Sequence, residues 1–141
     1  MGYPGAPAFR RLLAGGLAFA ALIGLVFLAF TRYSLGPGGA MDLEVVDNPD
    51  KARFEILADG ELAGFVLYYL SGDEIAFTHT QTDDRFRGEG IGGRLVRSSL
   101  DAARERHLAV LPYCPFVRSW ITGHREYADL VPEDRRGQFG L

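Results

Sequence analysis

Residues Thr78–Leu95 read T-H-T-Q-T-D-D-R-F-R-G-E-G-I-G-G-R-L, and this stretch predicts how the rest of the chain folds. Its four glycines, Gly88, Gly90, Gly92 and Gly93, separate an apolar run of strand type from an apolar run with helical spacing. Glycine adopts positive φ without steric cost, and it has no Cβ to obstruct a ligand. A glycine-rich turn at the start of a helix exposes backbone N–H groups to anions. The stretch therefore predicts a site for a pyrophosphate or a similar group.

Two glycine patterns fit this stretch. Gly88, Gly90 and Gly93 satisfy G-x-G-x-x-G, but a dinucleotide site also needs the first glycine directly after a strand and an acidic residue about 20 positions on. The sequence has neither feature. Arg87, Gly90 and Gly92 satisfy R-x-x-G-x-G, and this pattern follows a run that ends in H-T-Q-T. The second pattern therefore describes the stretch better.

Length and composition indicate one globular domain, because the chain has 141 residues, of which 48% are hydrophobic and 23% charged. Residues 1–40 contain three arginines and no acidic residue, whereas residues 41–141 contain 12 basic and 18 acidic residues. An acidic globular part argues against nucleic acid as the main partner. Cys114 is the only cysteine, so no internal disulfide can form. The three scattered histidines add no metal-ligand spacing, and no metal is expected.

The pattern of apolar residues predicts a mixed α/β (α+β) domain that begins with an antiparallel meander. Apolar and polar residues alternate around Asp59-Gly60, a dipeptide typical of a two-residue hairpin turn. The run after this turn is apolar on both faces, which indicates a central strand. The four predicted strands are Leu43–Val46, Ala52–Ala58, Leu62–Leu70 and Glu74–Thr80.

A helix and a fifth strand are predicted after the glycine-rich turn. The short apolar run Leu108–Leu111 is expected to lie parallel to Glu74–Thr80, because a helical crossover joins parallel strands in a βαβ unit. A short helix over Phe116–Thr122, closed by Gly123, should follow. Residues 132–141 are expected to form a polar, frayed tail. The apolar stripe that predicts the crossover helix consists of Ile91, Leu95, Val96, Leu100 and Ala103.

Residues 41–131 resemble the small, minimal branch of the GCN5-related N-acetyltransferases (GNATs). The resemblance lies in three ordered blocks, H-T-Q-T-D-D-R-F-R-G-E-G-I-G-G-R-L at 79–95, Y-C-P-F-V-R-S-W-I at 113–121 and H-R-E-Y-A-D-L-V at 124–131. It implies a single small GNAT-like domain that uses acetyl-CoA as cosubstrate and needs no metal. Its partners would be acetyl-CoA and an amine acceptor, to which the acetyl group is transferred.

The resemblance also implies roles for individual residues. His79 and Cys114 would face the thiol end of CoA, where a thiolate beside an imidazole is a competent nucleophile. The acetyl group would pass directly to the amine or through an acetyl-Cys114. The ordinary structural alternatives are a small buried cysteine and a histidine with its hydrogen bonds satisfied. Tyr127 could protonate the departing thiolate or belong to the core. The expected cofactor-binding residues are Thr82, Arg87, Gly88, Gly90, Gly92 and Gly93.

The N-terminal extension, residues 1–40, contains an uncharged apolar segment, Leu12–Phe30, that is long enough to cross a bilayer as a helix. Three explanations are open: a membrane anchor with the domain facing the cytosol, an exported protein, and a translation start at Met41. Acetyl-CoA is a cytosolic metabolite, so a cytoplasmic location is expected, either soluble or anchored.

Two other functions compete with acetyl transfer. A non-catalytic module that binds CoA or acetyl-CoA would have the same glycine-rich turn. A membrane-tethered interaction protein would be explained by residues 12–30 alone.

Overall fold

The computed structural model describes residues 39–141, and Met41–Leu141 form one compact unit. The segment Leu12–Phe30 lies outside the described residues, and among residues 39–141 no helix is long and apolar enough to cross a membrane. The sheet consists of β1 (Leu43–Asn48), β2 (Arg53–Ala58), β3 (Glu61–Ser71), β4 (Glu74–Thr82) and β5 (Ala109–Pro112). The helices are α1 (Ile91–Glu105), α2 (Pro115–Gly123) and α3 (Glu133–Phe139), and short 3-10 turns cover Pro49–Lys51, Asp84–Phe86 and Arg125–Leu130.

The sheet order is β1-β2-β3-β4-β5, so the predicted mixed α+β domain with an antiparallel meander is confirmed. Asp59 and Gly60 connect β2 to β3 with φ values of 49° and 83°. Positive φ at both central residues is what a two-residue hairpin turn requires. The run that is apolar on both faces becomes β3, the middle strand, as predicted.

The predicted βαβ unit is also present. Strand β5 lies parallel to β4, with Glu74 opposite Ala109 and Phe77 opposite Pro112, and α1 connects the two strands. The predicted apolar stripe of α1 is buried throughout, together with Ser99. Burial of one helix face against the sheet forms the core of the domain.

Strand β4 contains a bulge that the sequence pattern did not predict. Tyr68 of β3 pairs with Phe77, whereas the preceding Leu67 pairs with His79, so Thr78 has no partner in this ladder. An extra residue changes which of the following side chains face the core. After the bulge, Thr80 pairs with Val66, which is fully buried in the core.

The C-terminal residues differ from the expectation of a frayed tail. Residues Glu133–Phe139 form α3, and Phe139 at its end is only 5% exposed. The Phe139 ring meets the ring of Tyr113 edge to face, with centroids 5.3 Å apart. One buried aromatic side chain is enough to anchor a short polar helix.

Alkaline pH should weaken the domain through Tyr68. Its hydroxyl donates to Asp47 Oδ1 at 2.8 Å, and burial together with this bond raises the pKa of Tyr68 to about 12. Because the folded pKa lies above the ordinary value near 10, the stabilisation is complete below pH ~10 and is lost as the pH rises to ~12. Denaturant titrations at several pH values should show the free energy of unfolding fall by about 2 kcal/mol in this window. The decline should be smaller in Tyr68→Phe; an equal decline would assign it to other groups.

Candidate active site

The first backbone N–H groups of α1 have no helical partners. Gly90 precedes the helix with φ 72°, and no side chain of the described residues caps it. The first helical bond runs from the N–H of Arg94 to the carbonyl of Gly90, so the N–H groups of residues 91–93 have no partner within the helix. These groups lie at the positive end of the helix dipole.

A groove of about 450 Å³ opens in front of these N–H groups. Phe116 of α2 forms part of its wall, and 46% of this residue is exposed. The motif analysis did not identify Phe116, because an aromatic residue at the start of a helix carries no phosphate signature. All six residues predicted to bind the cofactor line the groove: Thr82, Arg87, Gly88, Gly90, Gly92 and Gly93.

The glycines of the loop serve two different purposes. Gly88 and Gly90 have φ values of 88° and 72°, and a Cβ at either position would lie more than 4 Å from every other atom of residues 39–141 beyond its chain neighbours. Glycine is required there by the backbone conformation. A Cβ at Gly92 would lie 2.7 Å from the Phe116 ring, and one at Gly93 would lie 3.5 Å from Trp120 Nε1. Gly92 therefore leaves room for the Phe116 ring where it lies in this structure.

Arg87 lines the groove and forms an exposed ion pair with Asp84. Its guanidinium donates to Asp84 Oδ1 at 2.7 Å, and both side chains are more than 80% exposed. Exposed ion pairs contribute only about 0–1 kcal/mol, so the guanidinium can exchange this carboxylate for a phosphate at little cost.

Strand β4 continues past the end of its neighbour β5. The last pair of the two strands is Phe77 with Pro112, and Pro112 and Pro115 end the ladder there. Just beyond it, the Cys114 N–H donates to the Phe77 carbonyl at 2.8 Å. The N–H of Asp83 binds the Ala63 carbonyl on β3 at 2.8 Å. Amide directions alternate along a strand, so the N–H of Thr82 points away from β3, toward the side where β5 has already ended.

Cys114 is buried at the start of α2, with 3% of the residue exposed. Its Sγ lies 3.3 Å from Thr80 Oγ1, a hydrogen-bonding distance. Cys114 does not line the 450 Å³ groove. Thr80 was not singled out from the sequence, because the bulge in β4 decides which face it occupies.

His79 lies on the other face of the sheet. It pairs with Leu67, whereas Thr80 pairs with the buried Val66, and neighbouring strand residues point to opposite faces. The His79 ring is exposed and lies 6.5 Å from the ring of Phe65. The expected pairing of His79 with Cys114 is therefore not formed in this structure, and the sulfur meets Thr80 instead.

Residues of the third sequence block contact both α1 and α2. The Tyr127 hydroxyl donates to Asp101 Oδ1 at 2.8 Å. Burial, and to a smaller extent this hydrogen bond, raise the pKa of Tyr127. The ring of His124 stacks on Trp120 with centroids 3.8 Å apart, and its Nδ1 lies 2.8 Å from the Trp120 carbonyl. Tyr127 is thus tied to α1 as a core residue.

A second groove, of about 380 Å³, shares residues 82–84 with the first. Phe65, the aromatic neighbour of His79, is among its lining residues. The end of β4 thus has one groove beside the glycine loop and a second groove lined by Phe65, the aromatic neighbour of His79.

Comparison with known proteins identifies the fold. A GCN5-like protein from Staphylococcus aureus, solved by NMR, has 24% identity and a TM-score of 0.51, over 64% of this chain and 88% of that one. A ribosomal-protein-alanine N-acetyltransferase from Brucella melitensis has 24% identity and a TM-score of 0.39, over 57% and 61%. Only the first similarity is close enough to support the fold. No curated protein matches the chain.

A model of the family described as GCN5-related N-acetyl-transferase matches residues 53–130, which is more than half of the chain. The matched range runs from β2 to the last 3-10 turn and includes the open edge of β4, the glycine loop and the start of α2. The chain therefore belongs to the GCN5-related N-acetyltransferase family, whose members use acetyl-CoA.

Proposed function

We propose that this protein is an acetyl-CoA-dependent N-acetyltransferase that transfers an acetyl group to an amine. The observation that carries the proposal is the edge of β4 beyond Phe77, which no strand of the described part of the chain pairs with on the side of β5 and which leads into the glycine loop at the start of α1. A ligand that fits both features is extended and carries amide groups at one end and a pyrophosphate at the other. The pantetheine arm and pyrophosphate of acetyl-CoA have this form.

The cofactor would be held mainly by backbone groups. The N–H of Thr82 donates to the pantetheine arm, which lies beside β4 like a further strand. The free N–H groups of residues 91–93 receive the pyrophosphate. Arg87 leaves the exposed Asp84 and binds a phosphate oxygen. Phe116, whose ring lines the groove, covers the ligand from the side of α2.

The proposed chemistry proceeds in two steps through Cys114. The Cys114 thiolate attacks the carbonyl carbon of the thioester, a new S–C bond forms, and the bond to the CoA sulfur breaks. CoA leaves as a thiolate and takes up a proton. The amine then attacks the acetyl-Cys114, loses a proton, and releases the Cys114 thiolate with the N-acetylated product.

His79 is proposed as the base that receives the amine proton. It lies on the opposite face of β4 from Thr80 and Cys114, so this role requires the amine to reach acetyl-Cys114 past the edge of β4 that has no paired strand among residues 39–141. The second groove, which contains Phe65, is the proposed acceptor site. The two grooves adjoin at the end of β4, where Thr82 lines both of them.

The burial of Cys114 favours a second candidate, a module that binds CoA without turnover. Cys114 is 3% exposed and lines neither groove. In either case the domain is proposed to face the cytoplasm, where acetyl-CoA is made.

The test is the release of CoA from acetyl-CoA by the full-length protein with a mixed pool of amines. We expect release above the background hydrolysis, at a rate that depends on the amine pool. CoA should be quantified by chromatography, because a thiol reagent in the assay would also modify Cys114. Binding in calorimetry without any release would contradict the enzyme and support the module.

A matched variant makes this assay specific. Arg87→Ala removes the exposed guanidinium at the groove and leaves the core intact. It should weaken acetyl-CoA binding by about tenfold, the effect of one charge-assisted bond. Arg125→Ala, a substitution of another exposed arginine outside the groove, should bind acetyl-CoA normally.

A further inference from the structure

The side chain of Thr80 makes a specific contact with the sulfur of Cys114. The two residues lie on different elements, β4 and the start of α2, and Oγ1 and Sγ are 3.3 Å apart. The bulge at Thr78 turns Thr80 toward the core, beside the buried Val66. We propose that Thr80 is a positioning residue whose hydroxyl holds and stabilises the Cys114 thiolate. This inference rests on the proposed two-step transfer.

The direction of the hydrogen bond follows from the chemistry of the two groups. A neutral thiol is a weak donor, so the bond between two neutral side chains contributes little. A thiolate cannot donate, and it then accepts from the threonine hydroxyl in a charge-assisted bond, which is the stronger kind. The same contact therefore favours the ionised sulfur, which is the nucleophile.

The surroundings of the sulfur point to the same residue. On β4, the titratable residue next to Thr80 in sequence is His79, which faces the opposite side of the sheet. On the side of α2, Tyr113 is exposed and Arg118 lies one helical turn beyond the cysteine. Among the described residues, the only side-chain hydrogen bond of Cys114 is the one between its Sγ and Thr80 Oγ1. The first turn of α2 adds the positive end of a helix dipole.

The experiment compares Thr80→Val with Thr80→Ser in the full-length protein without acetyl-CoA. Valine keeps the branched shape and removes the hydroxyl, whereas serine keeps the hydroxyl and removes the methyl group. The first readout is the rate of Cys114 alkylation by iodoacetamide at pH 8. The second is the ¹³Cβ resonance of Cys114, which distinguishes thiol from thiolate and does not depend on access of a reagent. Cys114 is the only cysteine, so both signals are unambiguous.

We expect Thr80→Val to slow alkylation about three- to tenfold and to move the ¹³Cβ resonance toward the thiol value. The lower thiolate fraction is partly offset by the higher nucleophilicity of a more basic thiolate, which limits the effect. Thr80→Ser should stay within about twofold of the wild type.

Three outcomes would overturn the inference: an unchanged Thr80→Val, an equal loss in Thr80→Ser, or a wild-type protein that is entirely thiol at this pH. An unchanged Thr80→Val would show that the hydroxyl does not affect the sulfur. An equal loss in Thr80→Ser would show that Thr80 acts through packing. Because no acetyl-CoA is present, these results do not depend on whether the protein transfers acetyl groups. A failure of the CoA-release assay is thereby distinguishable from a failure of this inference.

Discussion

Replacement of Cys114 by alanine is expected to lower turnover at least a hundredfold, because it removes the proposed nucleophile of the first chemical step. Steady-state kinetics with the wild type should follow a ping-pong pattern. Incubation with acetyl-CoA and no amine should add one acetyl group to the peptide that carries Cys114, as measured by mass spectrometry. Cys114→Ala should show no such adduct.

The result needs a control for folding, because Cys114 is buried in the core. Cys114→Ser keeps the size of the side chain and its contact with Thr80, but a neutral hydroxyl is a poor nucleophile. It should lose turnover like Cys114→Ala while it binds acetyl-CoA normally in calorimetry. If Cys114→Ala keeps most of its turnover, the amine attacks acetyl-CoA directly and Cys114 is a packing residue.

Gly90→Val is expected to abolish measurable binding of acetyl-CoA while the sheet stays folded. Gly90 has φ 72°, and a β-branched residue adopts this conformation only at a cost of roughly 1–2 kcal/mol. The residue before α1 would shift, and the N–H groups of residues 91–93 would lose their common direction toward the ligand. Isothermal titration calorimetry with acetyl-CoA measures the effect, and circular dichroism reports the fold.

Gly140 provides the matched control, because it has φ 69° and, like Gly90, open space around the position of a Cβ. It follows α3, outside the groove. Gly140→Val should lower the thermal stability by an amount similar to Gly90→Val and leave acetyl-CoA affinity unchanged. Equal affinity in the two variants would remove the glycine loop from the cofactor site.

Local patterns were sufficient to predict the main elements of the fold. The alternation around Asp59-Gly60 and the stripe of α1 each depend on residues that are close in sequence, and both predictions are confirmed. Arg87 and the four glycines were also predicted from local spacing and Thr82 from the family resemblance, and all six residues line one groove. Their role in binding stays a prediction.

The parts that the sequence did not predict depend on contacts between distant residues. The bulge at Thr78 arises from the pairing of β3 with β4, and it places Thr80 rather than His79 beside Cys114. The role of Gly92 depends on Phe116 from another helix. Phe139 is buried because α3 folds back toward Tyr113, which a short polar segment does not reveal.

In the proposed complex, the short length of β5 would link the stability of the domain to the supply of acetyl-CoA. Among residues 39–141, no strand pairs with β4 beyond Phe77 on the side of β5, and in the proposed complex the pantetheine arm takes that place. A ligand that binds only the folded chain stabilises it by RT ln(1 + [L]/Kd), so occupancy and resistance to unfolding rise together. The lifetime of the protein would then follow the supply of acetyl-CoA, and starved cells would retain less of it than well-fed ones.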